Sequence, residues 1–350
     1  MKILISGASS WSIWKFRKNL INFLEKEKYE LFYHLRDNYF LKKISNNNNF
    51  LKLTHMFDII GLRRVLKKNQ IKVVLEYDLK NLIKHKILRL FYNKYKIIVI
   101  WAGLGNNYNS KGYFNKAEQF LLKFLMSSCE KIILINKFDY KTVKKYKLHK
   151  LITYITTEGF AHNNFKQHNI EKKDNYKFVS AFRPIKTKGI FEIVSIANKF
   201  PNHDFYIYVV KNNKTIKYNS KNIELTKLKK YKNIHIKNIV SNFEKEITKY
   251  DCLISASYGE GFGMTIAEAV NNLIPVISTK VSGPLSVYDS KSLIFINPKQ
   301  IKDLENGINI FLKKTRREKI SMAMKAKKNL KRIDNNQIHK KIRDIINEAS

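Results

Sequence analysis

Two glutamates, Glu260 and Glu268, have seven residues between them and flank a glycine-rich turn. An apolar run that ends at Ala256 is typical of a β-strand and leads into this turn, and a helical pattern begins near Met264. The first backbone N–H groups of a helix have no intrahelical acceptor, so they bind anions, and phosphate is the natural guest. Ionised carboxylates accept hydrogen bonds from sugar hydroxyls. The stretch therefore suits a phosphorylated sugar.

The position of Glu268 in its segment strengthens this interpretation. It is the only charged residue between Gly261 and Lys280, and a glutamate among apolar neighbours needs a ligand hydroxyl or a basic side chain as its partner. Both carboxylates are expected at the carboxyl edge of a parallel sheet, where α/β proteins bind their ligands. The spacing also fits an ordinary strand–helix turn with one solvated glutamate, so evidence from elsewhere in the chain must decide.

A pair of basic residues, Arg183 and Lys188, stands earlier in the chain, five positions apart. The pair follows a strand-like run, Phe178 to Phe182, and precedes a helical pattern. The guanidinium offers a planar fork and the ammonium a mobile point charge, a combination that suits two adjacent phosphates. Because the chain is rich in lysine, the same spacing also arises by chance.

The two stretches together resemble a known family of enzymes. The first, EGFGMTIAE, looks like the E-x7-E signature of the retaining, nucleotide-sugar-dependent family 4 glycosyltransferases, which have the GT-B fold. The second, SAFRPIKTKGI, resembles their R-x4-K pattern, G-R-L-x3-K-G. Lys188-Gly189 matches this pattern, whereas Ala181-Phe182 departs from it at positions of lesser chemical weight. The later Gly283-Pro284 pair is similar to the family pattern after the next strand.

The resemblance implies a role for each motif residue. Glu260, Arg183 and Lys188 would form the catalytic group, with the glutamate beside the donor sugar and the two cations on the donor diphosphate. Glu268 would hold the ribose of the nucleotide. Further donor contacts would come from Gly261, Phe262, Gly263, Met264 and Thr265.

The charge of the chain is extreme. Its 350 residues include 67 Lys and Arg against 28 Asp and Glu, a formal net charge of +39. Nucleic acid, an anionic bilayer surface and phosphorylated substrates are all partners that such a surplus attracts. The basic residues are spread along the sequence without the zinc-finger spacing or aromatic RNP pattern of a nucleic-acid module, so we expect no nucleic-acid partner.

Short strand-like runs alternate with helical patterns over the whole chain, which predicts an α/β architecture with parallel sheets. The polar stretch His162 to Asn175 is the expected boundary between an acceptor-binding domain, 1–165, and a nucleotide-sugar-binding domain, 170–334. A helix near 335–350 is expected to pack back on the first domain. We therefore predict two Rossmann-like domains that face each other across a cleft, which is the GT-B arrangement.

The predicted elements of the first domain include the strand Phe50 to Leu53 and the helices Trp14 to Glu25 and Leu79 to Tyr92. Cys129 and Cys252 lie far apart in apolar surroundings, which favours two free thiols in a reducing compartment. The start MKILISG is typical of a strand rather than a signal peptide, and no apolar run is long enough to span a membrane. We therefore expect a cytoplasmic protein.

The first domain carries two further turns after strands. One, Gly7 to Ser12, leads to Arg17, and the other contains Gly103 and Gly105. Their S-x-x-x-F-R and G-L-G segments resemble the subset of the family that transfers N-acetylhexosamines onto polyprenyl-diphosphate-linked glycans. That resemblance implies acceptor-side roles, with Arg17 on an acceptor phosphate and both glycines on the cleft floor. Plain strand–helix turns and a solvated arginine are the alternative.

The sequence departs from the family at one position near the acceptor. Many members have a histidine at the end of the fourth strand of the first domain, whereas this chain has Glu76 and Asp78 there, in LEYDLKN. His85 follows on a helical pattern and is expected at the surface. Asp78 is a candidate base, but in retaining members the leaving diphosphate itself is thought to accept the acceptor's proton.

One helical pattern of the first domain is a candidate membrane contact. Phe114 to Met126 has Phe, Leu and Met at helical spacing, with Lys116 and Lys123 beside them, and the preceding helical pattern is rich in lysine. Such a surface can lie on an anionic leaflet, although most amphipathic helices of α/β proteins face their own sheet. A peripheral position on the inner face of the cell membrane is therefore part of the prediction.

The sequence thus predicts a retaining glycosyltransferase that moves a hexose or N-acetylhexosamine from a UDP-sugar to a glycan acceptor. By the resemblance, the acceptor is polyprenyl-linked and belongs to surface polysaccharide, lipopolysaccharide or glycoprotein assembly. We expect no metal and no cofactor beyond the donor, because Arg183 and Lys188 take the place of the cation and the chain has no Asp-x-Asp clamp. A non-catalytic polyanion- or nucleic-acid-binding protein and a catalytically idle GT-B nucleotide-binding scaffold are the alternatives.

Overall fold

The computed structural model describes residues 1–7, 9–35, 40, 44, 58–104, 113–157, 160, 173–209, 215–218, 221–224, 231–238, 240 and 242–350. These residues divide into two compact units. The first unit comprises the described residues up to 160 together with Asp334–Ser350, and the second unit comprises those from 173 to 333. Most of the expected boundary at 162–175 lies outside the described residues.

The first unit is built on a six-stranded sheet in which every pairing is parallel. Its strands are β1 (Lys2–Ser6), β2 (Glu30–His34), β3 (Val73–Glu76), β4 (Lys96–Trp101), β5 (Lys131–Leu134) and β6 (Ile152–Tyr154). The isoleucine, valine and leucine side chains of β1 to β5 are buried on both faces, as in a parallel sheet covered by helices. The strand order is β2-β1-β3-β4-β5-β6, so the topological switch point lies between β1 and β3.

Helices alternate with these strands. They are α1 (Ser10–Phe16), α2 (Lys18–Lys26), α3 (Ile59–Lys68), α4 (Leu82–Arg89), α5 (Lys116–Met126) and α6 (Lys137–Lys145). Polar side chains cap several of the helix starts. Ser9, Asp58 and Asn136 each accept a hydrogen bond from the first turn, and Asn115 forms a capping box with Glu118.

Two predicted helices have different bounds in the structure. The single helix predicted from Trp14 to Glu25 is two helices, because the backbone leaves the helical conformation at Arg17, with φ −124° and ψ 0°. The helix predicted from Leu79 to Tyr92 is a 3-10 turn followed by α4, which ends at Arg89. Strand β6 is absent from the predictions, and the predicted strand Phe50 to Leu53 lies outside the described residues.

The second unit has a six-stranded parallel sheet and a two-stranded antiparallel hairpin. Its strands are β7 (Lys177–Phe182), β8 (Asp204–Val209), β9 (Thr215–Tyr218), β10 (Lys221–Glu224), β11 (Ile234–Asn238), β12 (Cys252–Ser255), β13 (Val276–Thr279) and β14 (Ile294–Ile296). The hairpin is formed by β9 and β10, and the sheet has the order β11-β8-β7-β12-β13-β14. This is the Rossmann order, with its switch point between β7 and β12.

An aromatic core joins the sheet of the second unit to its helices. The helices are α7 (Ile190–Ala197), α8 (Phe243–Glu246), α9 (Met264–Asn271), α10 (Ser282–Val287), α11 (Ile301–Lys313) and α12 (Arg316–Lys331). The rings of Phe178 and Phe205 stack with 5.1 Å between centroids, and Phe311 of α11 meets Phe178 edge-on at 5.6 Å. All three rings are buried.

The last helix, α13 (Asn335–Ala349), belongs to the first unit. The Tyr29 hydroxyl donates to Oδ1 of Asn347 over 2.6 Å, and Arg343 pairs with Glu27 at 3.2 Å. These contacts join α13 to the region around α2.

Cys129 and Cys252 are both free and buried. Burial raises the pKa of the Cys129 thiol to about 12, so it stays protonated at neutral pH. No helix in the described part of the chain is long and apolar enough to cross a membrane.

Candidate active site

Lys188 and Glu260 meet in the second unit. The ammonium nitrogen of Lys188 lies 2.6 Å from Oε1 of Glu260, a charge-assisted hydrogen bond. The two side chains keep 17% and 19% of their surface exposed, so a ligand can reach both. Lys188 ends a 3-10 turn that follows β7, and Glu260 lies in the loop after β12. Residues 72 positions apart in the sequence therefore form one charged site.

Backbone contacts fasten these two loops together. The N–H of Tyr258 donates to the carbonyl of Thr187 over 2.8 Å. Gly189 has φ +73°, and a Cβ there would lie 2.3 Å from the carbonyl oxygen of Ala256, so both conformation and space require glycine. The Tyr258 hydroxyl also donates to a carboxylate oxygen of Glu192 on α7. These contacts set the distance between the loops.

The start of α10 contacts the Glu260 loop from the next strand. The N–H of Gly283 donates to the Glu260 carbonyl over 2.9 Å, and the Ser282 hydroxyl donates to the same oxygen over 3.1 Å. A Cβ at Gly283 would lie 2.7 Å from that oxygen and 2.8 Å from the carbonyl carbon of Gly261. The Gly283-Pro284 pair singled out in the sequence therefore allows close packing of two loops.

The glycine turn leads into helix α9, as the sequence predicts. Gly263 precedes the helix with φ +89°, a conformation that favours glycine. No side chain caps the first turn, at Met264 and Thr265, because the capping position is a glycine. The N–H groups of this turn and the positive end of the helix dipole suit an anion. Phe262 is buried beside them.

Glu268 lies one turn into α9 and is only 4% exposed. The side chain of Asn272 donates to its backbone carbonyl over 2.8 Å. Its neighbours Ile266, Ala267 and Ala269 are fully buried. Glu268 and Glu260 thus belong to the same strand–loop–helix segment, one inside the unit and one at its surface.

Arg183 follows β7 directly, and its side chain is exposed. In the part of the chain that the structure describes, its guanidinium has no hydrogen-bond or ion-pair partner. Strands β7 and β12 are parallel neighbours, with Phe178 opposite Cys252. Arg183 and the Glu260 loop therefore leave the sheet at the same edge, at the switch point where Rossmann-like sheets bind ligands.

In the first unit, the acidic residue that ends β3 is completely buried. The side chains of Glu76 and His85 are both 0% exposed, and Nε2 of His85 lies 3.3 Å from Oε2 of Glu76. Nδ1 of His85 lies 3.1 Å from the Tyr95 hydroxyl. Burial lowers the pKa of His85, so we infer a neutral ring that donates through Nε2 and accepts from Tyr95. The expectation that His85 lies at the surface is wrong, because it is the buried partner of Glu76.

Glu76 also fastens the turn after β3. Its Oε1 accepts from the N–H of Asp78 over 2.9 Å and from the side chain of Asn81 over 3.0 Å. Gly7, with φ +88°, comes so close that a Cβ there would lie 1.9 Å from Oε1. Burial alone would raise the pKa of Glu76, but the interaction with His85, the nearby Lys84 and the hydrogen bond from the Asp78 N–H together outweigh it and hold the pKa below its usual range.

Arg17 lies inside the first unit and is 7% exposed. Its guanidinium donates to the carbonyl of Ser12 over 3.3 Å and lies 4.1 Å from the centre of the Tyr77 ring. The Ser12 hydroxyl donates in turn to the carbonyl of Ser9 over 2.9 Å. Both acceptor-side candidates thus have protein partners here, and a contact of Arg17 with an acceptor phosphate stays a prediction.

The other acceptor-side candidates are Asp78, Gly103 and Gly105. Asp78 accepts from the N–H of Lys80 over 3.1 Å and so caps the 3-10 turn after β3. Gly103 follows β4, whereas Gly105 lies outside the described residues. Among the described residues, no group of three or more His, Cys, Asp and Glu is placed to hold a metal ion.

The sequence of the second unit matches a known family. Residues 161–332 match the profile described as "Glycosyl transferases group 1". The chain is thus a glycosyltransferase, and the predicted enzyme class is confirmed. Among curated protein sequences, none matches this chain.

Several solved glycosyltransferase structures have the same fold. The glycosyltransferase from Rickettsia africae is 16% identical, with a TM-score of 0.75 over 99% of this chain and 98% of that one. Anabaena Alr3699/HepE, in complex with UDP and glucose, is 14% identical, with a TM-score of 0.76 over 99% and 100%. The lipopolysaccharide outer core galactosyltransferase WaaB is 15% identical, with a TM-score of 0.67 over 99% of both chains. The predicted GT-B fold with two Rossmann-like domains is confirmed.

Some residues that position the site are absent from the sequence predictions. Thr187, Tyr258 and Ser282 hold the loops together through bonds to backbone groups. Hydrogen bonds to backbone groups depend on the path of the main chain, so the types of the residues involved do not reveal them. The usable signal is the glycines at 189 and 283, which mark the points of close approach.

Proposed function

We propose that this glycosyltransferase is a retaining enzyme that moves a hexose or N-acetylhexosamine from a UDP-sugar to a polyprenyl-linked glycan acceptor. The reaction would serve surface-polysaccharide or glycan assembly, including lipopolysaccharide. Support for the donor comes from the motif residues and from the Anabaena structure, which holds UDP and glucose. Support for the pathway comes from the likeness to WaaB, a lipopolysaccharide outer core galactosyltransferase.

The observation that carries the proposal is the ion pair of Lys188 and Glu260. The two groups are 2.6 Å apart and partly exposed, so their charges neutralise each other without a ligand. A donor diphosphate offers Lys188 more negative charge than one carboxylate does, and it would take over the ammonium. Glu260 would then be released to accept hydrogen bonds from the donor sugar.

The same groups would stabilise the departing diphosphate. The bond between the anomeric carbon and the diphosphate oxygen breaks, and a bond from the acceptor hydroxyl oxygen to that carbon forms on the same face. The acceptor's proton passes to an oxygen of the leaving diphosphate. Arg183, Lys188 and the N–H groups of Met264 and Thr265 would stabilise the negative charge that builds there. Preorganised cations and dipoles of this kind are often the largest catalytic contribution.

Glu268 would bind the nucleotide end of the donor. Its carboxylate belongs to the same helix whose first turn would face the diphosphate, and ionised carboxylates pair well with vicinal hydroxyls such as those of ribose. With a polyprenyl-linked acceptor, the enzyme would work peripherally on the inner face of the cell membrane.

A panel of donor sugars tests the proposal. Purified protein would be incubated with UDP-, GDP- and ADP-sugars, and release of the nucleotide diphosphate would be measured, followed by transfer to polyprenyl-linked acceptors. We expect a UDP-sugar to be consumed and its anomeric configuration to be kept in the product. Turnover of GDP-mannose in place of UDP-sugars would overturn the donor assignment. Tight binding of UDP without turnover of any donor would instead indicate an idle scaffold.

A further inference from the structure

Two segments of the first unit, 83–91 and 113–124, hold eight of the 17 large apolar side chains exposed among the described residues. The eight are Ile83, Ile87, Leu90, Phe91, Tyr113, Phe120, Leu121 and Phe124. Leu90, Phe91 and Phe120 keep 79%, 69% and 74% of their surface exposed. Large apolar side chains grouped in this way mark an interaction surface rather than ordinary scatter.

We call the exposed apolar side chains of these two segments together the α4–α5 surface. Helices α4 and α5 pack against each other, and the Lys86 ammonium lies 4.0 Å from the centre of the Phe124 ring. Ile83 and Ile87 are four positions apart on α4, as Phe120 and Phe124 are on α5, so each pair shares one face of its helix.

Positive charge surrounds the α4–α5 surface. Exposed lysines border it at Lys80, Lys94, Lys116 and Lys123. Glu118 is the only acidic residue in 80–94 and 113–124, and its carboxylate serves the capping box of α5. Apolar tips bordered by lysines fit a bilayer interface, because the apolar groups enter the acyl boundary while the ammonium groups meet lipid phosphates.

The positive charge also favours an anionic bilayer over a second copy of this chain as the partner of the α4–α5 surface. A second copy of this chain would bring the same lysines opposite each other, in a protein of net charge +39. We propose that the α4–α5 surface docks the first unit on an anionic phospholipid bilayer. This membrane binding depends only on the apolar side chains and lysines of the α4–α5 surface. Its purpose, to present a lipid-linked acceptor, rests on the proposed function.

Cosedimentation of the full-length protein with lipid vesicles tests this docking. The wild type is expected to sediment with phosphatidylcholine vesicles that contain phosphatidylglycerol and to stay in solution with phosphatidylcholine alone. The double variant Leu90→Ser/Phe120→Ser should bind the anionic vesicles at least about 10-fold more weakly, because two side chains lose their burial in the bilayer. The matched control Ile310→Ser/Met324→Ser, at apolar positions of the second unit that are 48% and 57% exposed, should bind as the wild type does.

Equal vesicle binding by Leu90→Ser/Phe120→Ser and the wild type would overturn the proposal, because overall charge would then suffice. A wild-type dimer that this variant converts to a monomer, seen by light scattering without vesicles, would also overturn it and assign the surface to a second copy. Equal melting temperatures of the variants and the wild type exclude unfolding as the cause. UDP-sugar hydrolysis without vesicles tests the proposed function separately, so either idea can fail while the other stands.

Discussion

Each unit of the protein has an acid–base pair at the switch point of its sheet, and the two pairs differ in their surroundings. In the first unit, Glu76 and His85 lie 3.3 Å apart, and both side chains are 0% exposed. In the second unit, Lys188 and Glu260 lie 2.6 Å apart, and both remain partly exposed. The same position in the sheet thus holds a sealed pair in one unit and an accessible pair in the other.

On the proposed function, the difference separates a structural pair from a ligand-binding pair. Both oxygens of Glu76 are already occupied, Oε1 by Asn81 and the Asp78 N–H and Oε2 by His85, so a ligand would have to break buried bonds. The second-unit pair can exchange one partner for a diphosphate while water and ligand screen the charges. We therefore expect changes to the first pair to reduce stability and changes to the second to reduce activity.

The largest expected effect is the loss of stability on replacing Glu76. Glu76→Ala leaves His85, Asn81 and the Asp78 N–H without their buried acceptor, so it should lower the free energy of unfolding by about 3–5 kcal/mol. Urea unfolding followed by circular dichroism measures this change. Glu76→Gln keeps the shape but not the charge and should cost less. A loss below about 1 kcal/mol for Glu76→Ala would show that the two pairs do not differ as described.

The next effect is the loss of turnover on replacing Arg183. If its guanidinium makes two charge-assisted bonds that tighten in the transition state, at about 1.5–3 kcal/mol each, Arg183→Ala should slow turnover by roughly 100-fold or more. The side chain is exposed, so the melting temperature should hardly change. Steady-state kinetics with the preferred donor check the prediction. A folded variant with near-normal turnover would contradict the catalytic role.

A smaller effect is the pH dependence of the stability of the first unit. Burial lowers the pKa of His34 to about 4, and the nearby Lys84 adds to this shift. The unfolded chain protonates His34 as the pH falls through about 6.5, before the folded chain does. The unfolded state therefore binds more protons at His34 in between, so this group should lower the stability as the pH falls through that range, by at most about 1.4 kcal/mol per pH unit.

Unfolding of the wild type and of His34→Gln at several pH values tests this sign. The variant should lose less stability on acidification from about pH 7 to 5, because it lacks one of the buried histidines that contribute there. The lowered pKa of Glu76 adds a loss of the same sign at lower pH, below about 4.5, in both proteins. Identical slopes between about pH 7 and 5 would contradict the assignment to His34.

The sequence was more informative for the second unit because the candidate site residues stand in a recognisable local order. The strand before each loop is an apolar run, and the residues that give each loop its function stand within a few positions of it, as Lys188 and Gly189 do after β7. Parallel pairing of β7 with β12 then brings the two loops to one edge. A linear pattern therefore predicts that both residues lie at one edge of the sheet, but their direct contact was not predicted.

The sequence was less informative for the first unit because its key contacts depend on packing. His85 carries no local sign of burial, and its partner Glu76 becomes apparent only once α4 is placed against the sheet. Arg17 interrupts a helical pattern that continues on both sides of it, and its contact with Tyr77 joins distant parts of the chain. Strand β6 spans only Ile152–Tyr154, too short for a periodic signal.

The most direct test of the central claim is the affinity of the second unit's charged site for UDP. Isothermal titration would compare the wild type with Lys188→Ala and with Lys199→Ala, a control at an exposed lysine that pairs with Glu305 at 2.5 Å in the same unit. Lys188→Ala should weaken binding by about 10-fold or more, because the diphosphate loses a cation and meets the unpaired carboxylate of Glu260. Lys199→Ala should bind as the wild type does. Unchanged affinity in Lys188→Ala would contradict a diphosphate site at this ion pair.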